Sequence, residues 1–306
     1  MAVIDDTLSY ARVTTVGDFF ALLKPRVMSL VVFTGLAGIV VAPGHVHPLT
    51  AFTALLCIAL AAGASGALNM AYDADIDGVM SRTATRPIPL GHIARGDALA
   101  FGWTISAMSV AIMWLFVNAL AAGLLAFTVF FYVVVYTLGL KRRTPQNIVI
   151  GGLAGALPPA IGWAAVTGSL SLPPLVLVAI IFMWTPPHFW ALSLWRCEDY
   201  ARAGVPMLPV VKGKPTTRRH IFVYALLLAP LGVLPAFIGL GGLLYLVLSA
   251  TMGFWMLLEA FATLRERDEE REPAAKRLFG VSLLYIFVPF TALIVEHLLH
   301  LPSLWM

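Results

Sequence analysis

Long uninterrupted apolar runs dominate this chain of 306 residues. A helix that crosses a bilayer needs roughly 20 mainly apolar residues, and nine runs reach about that length. They cover residues 26–45, 50–77, 98–117, 121–140, 146–167, 173–198, 219–238, 243–263 and 277–298. The pattern predicts an all-α integral membrane protein, a bundle of about nine transmembrane helices.

Few residues are charged. Asp, Glu, Lys and Arg together make up 12% of the chain and hydrophobic residues 60%, whereas about 25% of the residues of soluble globular proteins are charged. The net charge of +4 could suggest nucleic acid, but the basic residues lie between apolar runs, where membrane orientation explains them better. We therefore expect membrane lipid, and no nucleic acid, around the chain.

The basic residues are distributed on one side of the predicted bundle. If the N-terminus is cytoplasmic, all 20 Lys and Arg lie in or beside cytoplasmic segments, as the positive-inside rule requires. The opposite loops contain none. This division predicts an N-terminal cytoplasmic or interfacial segment (1–25), a nine-helix transmembrane domain (26–298) and a short C-terminal tail (299–306).

Three oxygen-bearing side chains mark the end of the second apolar run. Asn69, Asp73 and Asp77 recur at intervals of four, which places them on one face of a helix. Carboxylates at membrane depth usually mark a function, although acids at a helix end can also simply reach the headgroup layer. Such a set of oxygens suits Mg²⁺, which combines one or two carboxylates with phosphate oxygens. Asp75 falls on the other side and is a weaker candidate.

Two arginines follow this segment directly. Arg82 and Arg86 lie where Pro87 and Pro89 prevent a helix from continuing. Guanidinium groups match phosphate oxygens bidentately, so acids followed by arginines predict a binding site for a diphosphate. The alternative is that the two arginines only anchor the topology.

Two further polar clusters end apolar runs on the same side. One closes the fourth run, and it could bind the same phosphates or merely anchor a helix; its members are Lys141, Arg142, Arg143 and Asn147. The other contains Glu198 and Asp199 and leads into a loop with spaced prolines, as the first acidic segment does.

These residues resemble a known family. The pattern Asn69-x3-Asp73-x3-Asp77, followed by Met80-x-Arg82-Thr83-x2-Arg86-Pro87, is similar to the first aspartate-rich motif of the UbiA superfamily of intramembrane prenyltransferases. Residues 141–152, 187–190 and 199–211 favour the branch of that superfamily whose acceptor is protohaem. Relatives that act on quinone precursors carry several aspartates at the second acidic site, where this chain has Glu198 and Asp199.

The resemblance implies an activity. A farnesyl group would pass from farnesyl diphosphate to a vinyl group of protohaem IX (haem B), and water would add, giving haem O and diphosphate for haem–copper oxidase assembly. It also implies the inner (plasma) membrane of a bacterium, an active site that faces the cytoplasm, and a haem A synthase as downstream partner.

The resemblance also implies roles for individual residues. The expected cofactor is Mg²⁺, with the ligands Asn69, Asp73, Asp77, Glu198 and Asp199; all of these except Glu198 are also the expected catalytic residues. The expected diphosphate-binding residues are Arg82, Arg86, Lys141, Arg142, Arg143 and Asn147.

One histidine lies deep in the sixth run. His188 follows Pro186 and Pro187, and a helix would place it about 16 Å deeper than Asp199. At this depth it could ligate haem iron or contact the porphyrin propionates. Alternatively, it satisfies backbone groups that the prolines leave free. We expect a contact with haem.

Two other functions are compatible with these residues. A prenyltransferase for an aromatic quinone precursor would share the diphosphate site and differ only in its acceptor pocket. A transporter or channel would also carry intramembrane acids, but its acids should lie near the midplane beside broken helices. Here the acids cluster at one boundary beside arginines, which favours phosphate chemistry.

The one-sided basic residues generate a topology prediction. Single cysteines introduced at Ser169 and Thr216 should react with a membrane-impermeant thiol reagent from opposite sides of the membrane, with Thr216 on the cytoplasmic side. Labelling of both positions from the same side would contradict the nine-span topology.

Overall fold

The computed structural model describes residues 14–304. Within that part of the chain all regular structure is helical, apart from an isolated bridge between Gly242 and Ser303. Residues 1–13 of the predicted N-terminal segment and residues 305–306 of the predicted tail lie outside the described residues. The helices are α1 Val16–Leu22, α2 Pro25–Val40, α3 Pro48–Tyr72, α4 Ala74–Val79, α5 Arg95–Phe116, α6 Ala119–Phe130, α7 Asn147–Ala156, α8 Pro158–Thr167, α9 Leu172–Trp195, α10 Cys197–Arg202, α11 Leu208–Lys212, α12 Lys214–Phe237, α13 Leu243–Leu264 and α14 Pro273–Leu298.

The predicted all-α membrane fold is confirmed. Between residues 14 and 304, eight helical stretches are long and apolar enough to cross a membrane. The pair α1 and α2, bent by 55° at Leu23 and Lys24, makes nine if it counts as one span. Large apolar side chains such as Trp114, Leu115 and Phe116 point outward, as lipid-facing residues do. The chain is a multi-pass membrane protein.

Several predicted spans end differently. The run predicted over 50–77 stops at Tyr72 and resumes as α4 after Asp73. The run 146–167 is divided at Leu157 into α7 and α8, because the two prolines that follow Leu157 have no amide hydrogen for the preceding turn. The run 173–198 ends at Trp195, so Glu198 and Asp199 belong to the separate helix α10.

Two of the last three predicted spans begin earlier than expected. Helix α12 starts at Lys214 rather than near 219, so it contains Arg218, which the sequence placed in a cytoplasmic segment. The Arg218 side chain is buried, and its Nη2 donates to Oε1 of the fully buried Glu272, at 2.8 Å. A buried arginine of this kind needs a buried partner, because an unpaired ion away from water is strongly unfavourable.

The first span is held by close backbone contact with α8. A Cβ atom on Gly38 would lie 2.1 Å from the Pro159 carbonyl oxygen, and one on Gly162 would lie 2.2 Å from the Gly35 oxygen. Only glycine permits such an approach, and small residues commonly allow membrane helices to pack closely. This contact fixes α2, and with it the position of Lys24 at its N-terminus.

Helix α6 changes its winding as it approaches the polar end of the bundle. Residues Phe131–Leu140 continue it as a π-helix, in which the Thr137 hydroxyl donates to the Tyr132 carbonyl oxygen at 2.9 Å. Segments of π-helix are rare and frequently occur at functional sites. This one ends directly before Lys141 and Arg142, so its register decides where these two cations lie.

Candidate active site

The centre of the site is Asp73, at the break between α3 and α4. Its side chain is only 1% exposed. One carboxylate oxygen, Oδ2, accepts from Asn69 Nδ2 at 2.6 Å and pairs with the Lys141 ammonium group. A buried carboxylate requires compensating charge, and Lys141 supplies it from the end of the π-helix.

Asp77 is the second buried acid. Its side chain is 3% exposed, and Arg86 Nη1 donates to its Oδ2 at 2.5 Å. The Thr83 hydroxyl donates to the Asp77 carbonyl oxygen at 3.0 Å. These two bonds fold the loop after α4 back over the acid that precedes it.

The helix break corrects the expected geometry without separating the three oxygen-bearing side chains. Asn69, Asp73 and Asp77 do not share a continuous helix, yet all three are buried. Asp75 points outward with a side chain 66% exposed. A hydrogen bond from Arg142 is the main reason that the pKa of Asp75 is lowered to about 2.

Lys24 is a site residue that the sequence assigned only to topology. Its Nζ donates to Asn69 Oδ1 at 3.1 Å, and its backbone has the left-handed φ of 50° at the bend between α1 and α2. The bend turns this lysine inward. Asn69 is therefore held between a lysine on one side and the Asp73 carboxylate on the other.

Among residues 14–304, two of the buried oxygens that have no hydrogen-bond partner belong to predicted site residues. One is Asp73 Oδ1, with Arg142 Nη2 3.5 Å away, and the other is Oδ1 of Asn147, the first residue of α7. In the same part of the chain, no three His, Cys, Asp or Glu side chains converge on a possible metal position. A metal here would share protein and phosphate oxygens, which is the environment that Mg²⁺ favours. The donor set fits that ion.

The second acidic cluster is linked to the first loop. Ser81 Oγ donates to Asp199 Oδ2 at 2.7 Å, and Arg202 pairs with the other oxygen. The bond from Ser81, together with the guanidinium groups of Arg202 and Arg196, holds the pKa of the Asp199 carboxyl below its usual range. This contact brings together two segments that are more than a hundred residues apart in the chain.

The neighbouring tyrosine extends this link. Burial raises the pKa of Tyr200, while a hydrogen bond and the charge of Arg82 oppose the shift. Below these polar groups lies a small buried apolar cluster, which packs α4 and α7 against α10 and the loop that follows it; its members are Ile76, Met80, Ile148, Tyr200, Val205 and Met207. Apolar side chains therefore pack directly beside the residues that link the two acidic segments.

The remaining predicted residues are more dispersed. Arg142 binds the exposed Asp75, and Arg143 is exposed. Glu198 is exposed whereas its neighbour Asp199 is buried, so the two acids of the second cluster do not point the same way. His188 is buried in α9.

Sequence reasoning missed three contacts besides that of Lys24. Thr137 Oγ1 accepts from Asn69 Nδ2 at 3.3 Å, Ser81 bonds to Asp199, and Tyr136 packs so closely on Gly151 that a Cβ there would lie 2.2 Å from its ring. The π-helix places Thr137 and Tyr136, and apolar periodicity does not reveal it. For Lys24 a signal existed, a lysine directly before Pro25 at the head of an apolar run.

A helical membrane bundle with buried acids and cations at one end defines the class of intramembrane prenyltransferases. The UbiA prenyltransferase family matches residues 31–285. The chain belongs to this family.

Curated relatives are more specific. The chain is 61% identical over 285 residues to the protoheme IX farnesyltransferase of Parvibaculum lavamentivorans, covering 93% of this chain and 90% of that protein. It is 61% identical to the enzyme of the same name from Azorhizobium caulinodans, covering 92% of each. The Acidiphilium cryptum enzyme of that name is 54% identical, covering 97% of this chain and 95% of the relative.

Solved structures share the fold at low identity. A digeranylgeranylglyceryl phosphate synthase superposes with a TM-score of 0.75 at 18% identity, covering 92% of this chain and 98% of that one. A UbiA homologue from Archaeoglobus fulgidus, bound to DMAPP and Mg²⁺, gives 0.68 at 16% identity, covering 91% and 99%.

The position of Lys24 generates a prediction. Lys24→Met should weaken Mg²⁺-dependent binding of inorganic pyrophosphate at least about tenfold, because hydrogen bonds to charged groups contribute about 1.5–3 kcal/mol. Isothermal titration calorimetry on the detergent-purified protein would measure this. Arg26→Met, which removes an exposed charge two residues away, is the matched control. If both variants weakened pyrophosphate binding equally, the contribution of Lys24 would be only a general effect of charge.

Proposed function

We propose that this chain transfers a farnesyl group from farnesyl diphosphate to a vinyl group of protohaem IX, with addition of water, to give haem O and diphosphate. The observation that carries the diphosphate half is the pair of buried aspartates, each bonded to a cation, with one Asp73 oxygen left without a hydrogen-bond donor. The acceptor is supported by relatives at 54–61% identity, which are named protoheme IX farnesyltransferases. Their names favour protohaem over a quinone precursor.

Cations on both sides of Asp73 and Asp77 support a diphosphate here. Arg86 and Lys141 already neutralise the acids, Lys24 bonds to Asn69, and Arg82 bonds to Tyr200. When a diphosphate arrives, the same cations can shift part of their charge toward its oxygens. We retain Arg142, Arg143 and Asn147 as further diphosphate-binding residues, and the unbonded Asn147 Oδ1 is compatible with that role.

Mg²⁺ would be held by Asn69, Asp73 and Asp77, with Asp199 and Glu198 at the second acidic cluster. When bound, it supplies Lewis-acid neutralisation of the leaving diphosphate. Asp73 Oδ1 is the most readily available ligand, since no hydrogen bond needs to be broken there. At Asp199 the ligand oxygens would have to be released from Ser81 or Arg202.

The residues assist the chemistry by charge and by excluding water. Departure of the diphosphate develops negative charge on the leaving oxygen and an allylic cation on the farnesyl carbon, and preorganised cations such as Arg86 and Lys141 stabilise the former. The apolar floor around Ile76, Met80 and Ile148 keeps bulk water from the latter. The vinyl terminal carbon then attacks the allylic carbon, and water captures the cation that forms beside the macrocycle. This sequence requires no nucleophilic side chain.

His188 is our proposed contact for the haem acceptor, supported by its protonation state. The Ser282 hydroxyl donates its only hydrogen to the Phe279 carbonyl oxygen at 2.7 Å, so the 2.6 Å contact with His188 Nδ1 must be donated by the imidazole. Trp184 and Phe279 stack on its two faces, each with a centroid separation of 4.4 Å. With Nδ1 as the donor, the lone pair of a neutral imidazole is on Nε2, the nitrogen that can ligate iron or accept a hydrogen bond.

The proposed setting is the cytoplasmic face of a bacterial inner membrane. The one-sided Lys and Arg residues support this orientation, and diphosphate substrates are water-soluble at the head and lipid-soluble at the tail. A haem A synthase is the proposed downstream partner, because the product keeps a macrocycle that a further enzyme must receive from the membrane.

The acceptor is tested by following the oxygen of water. Membranes containing the protein, supplied with farnesyl diphosphate, haem and Mg²⁺ in ¹⁸O-water, should yield a farnesylated porphyrin with one heavy oxygen on the carbon attached to the macrocycle. A vinyl acceptor has no aromaticity to regain, so its cation must capture a nucleophile. Mass spectrometry of the extracted porphyrin gives the result. Farnesylation of a phenolic acid with haem unchanged would instead identify a quinone-precursor enzyme.

The metal ligands make a second prediction. Asp73→Asn and Asp77→Asn should each abolish Mg²⁺-dependent turnover while the protein remains folded in the membrane, because each change removes a buried carboxylate from the proposed ligand set. Asp75→Asn should be milder at saturating Mg²⁺. Turnover assays at several Mg²⁺ concentrations would show this, and a greater sensitivity at Asp75 than at the two buried acids would contradict the assignment.

A further inference from the structure

Asp75 has a partner that the proposed reaction does not use. Arg142 Nη1 and Nη2 each donate to one of its carboxylate oxygens, both at 2.7 Å. Both side chains are substantially exposed, at 42% for Arg142 and 66% for Asp75. An exposed ion pair contributes little stability, but a bidentate arginine–carboxylate pair has a defined geometry. The pair is therefore of interest for what it positions.

The guanidinium group of Arg142 contacts three residues at the break between α3 and α4. Its Nη2 donates to the carbonyl oxygen of Tyr72, the last residue of α3, at 3.2 Å. Carbonyl groups at a helix C-terminus lack partners within the helix, so this bond caps α3. Nη2 also lies 3.5 Å from Asp73 Oδ1. Arg142 thus contacts residues 72, 73 and 75 together.

Lys141, the residue before Arg142, contacts the other carboxylate oxygen of Asp73. Lys141 pairs with Oδ2, while Arg142 approaches Oδ1. Consecutive Cα atoms are 3.8 Å apart across a trans peptide, so the backbone at the end of the π-helix brings both cations to the same carboxylate. Lys141 and Arg142, at the end of the π-helix, therefore each contact one oxygen of the Asp73 carboxylate. Asp75 in turn holds Arg142 in place through their ion pair.

A cavity beside the helix break indicates what the ion pair of Arg142 and Asp75 prevents. A cavity of about 380 Å³ lies on the outer side of the break, lined by Asp73, Asp75, Arg95, Thr137 and Arg142 among others. With Arg142 held by Asp75, Asp73 remains 1% exposed although it borders this cavity. A released Arg142 would open Asp73 to water from that side.

We propose that Asp75 is a positioning residue, which holds Arg142 in its bidentate pair and thereby keeps the Asp73 carboxylate oriented, with Oδ2 on Lys141 and Oδ1 available to a metal ion. This inference rests on the proposed function, in which Asp73 is a metal ligand. Asp75 itself touches neither the metal nor the diphosphate. Its effect passes entirely through Arg142.

The test is Mn²⁺ binding to the full chain in detergent, measured by the electron paramagnetic resonance of free Mn²⁺ without diphosphate, so that phosphate contacts of Arg142 cannot contribute. Arg142→Lys keeps the charge and loses the planar fork, so it should weaken Mn²⁺ binding about tenfold, within the 10–100-fold loss typical of residues that orient a ligand. Asp75→Asn should weaken it at least as much. Asp97→Asn, an exposed acid in the first turn of α5, should leave it unchanged.

The double variant separates positioning from simple charge. In the Asp75→Asn background, Arg142→Lys should have no further effect, because the pair is already broken. If the losses of Mn²⁺ affinity from the two substitutions multiplied in the double variant, the positioning role would be overturned. An Arg142→Lys variant that binds Mn²⁺ like the wild type would also overturn it. So would complete loss of binding in Asp75→Asn, which would make Asp75 a ligand. Wild-type protein that binds Mn²⁺ but leaves haem unfarnesylated would overturn the proposed function alone, whereas wild-type protein that farnesylates haem but binds no Mn²⁺ without diphosphate would overturn the positioning role alone.

Discussion

The architecture of this protein depends on pairing two buried carboxylates with cations among membrane helices. Asp73 and Asp77 are almost completely buried, and removing an ion from water costs several kcal/mol unless a partner compensates for it. Each acid obtains a partner from a different part of the chain, Lys141 from the π-helix and Arg86 from the loop after α4. The local breaks in the helices place these partners beside the two acids.

Those breaks also make the site responsive to a substrate. A diphosphate carries the same kind of charge as the carboxylates, so it can recruit cations that are already in place without a large rearrangement. Preorganised charge of this kind acts on a transition state without a reorganisation cost at the moment of reaction. The Ser81–Asp199 bond adds a second link, which ties the loop carrying Arg82 and Arg86 to α10.

The membrane-spanning scaffold tolerates extensive change in sequence. Solved relatives at 16–18% identity retain TM-scores of 0.68 and 0.75, because the scaffold requires apolar helices of sufficient length and small residues where backbones touch. Gly38 and Gly162 illustrate that requirement, since a single methyl group at either would collide with the facing backbone. A contact of this kind fixes α2, whose first turn presents Lys24 to the site.

The amino-acid sequence by itself determined the membrane fold and marked the candidate residues of the site. Apolar runs of bilayer length admit only spanning helices, since hydrocarbon offers the backbone no hydrogen-bond partners, and the interval of four between Asn69, Asp73 and Asp77 marked the acidic cluster. Only the tertiary structure decided how these groups meet. The interruption at Asp73, the π-helical winding before Lys141, the inward turn of Lys24 and the contact of Ser81 with Asp199 depend on distant parts of the chain. Hydrophobic periodicity reports which side of a helix avoids water, and it contains no information about which buried charge a remote cation must compensate.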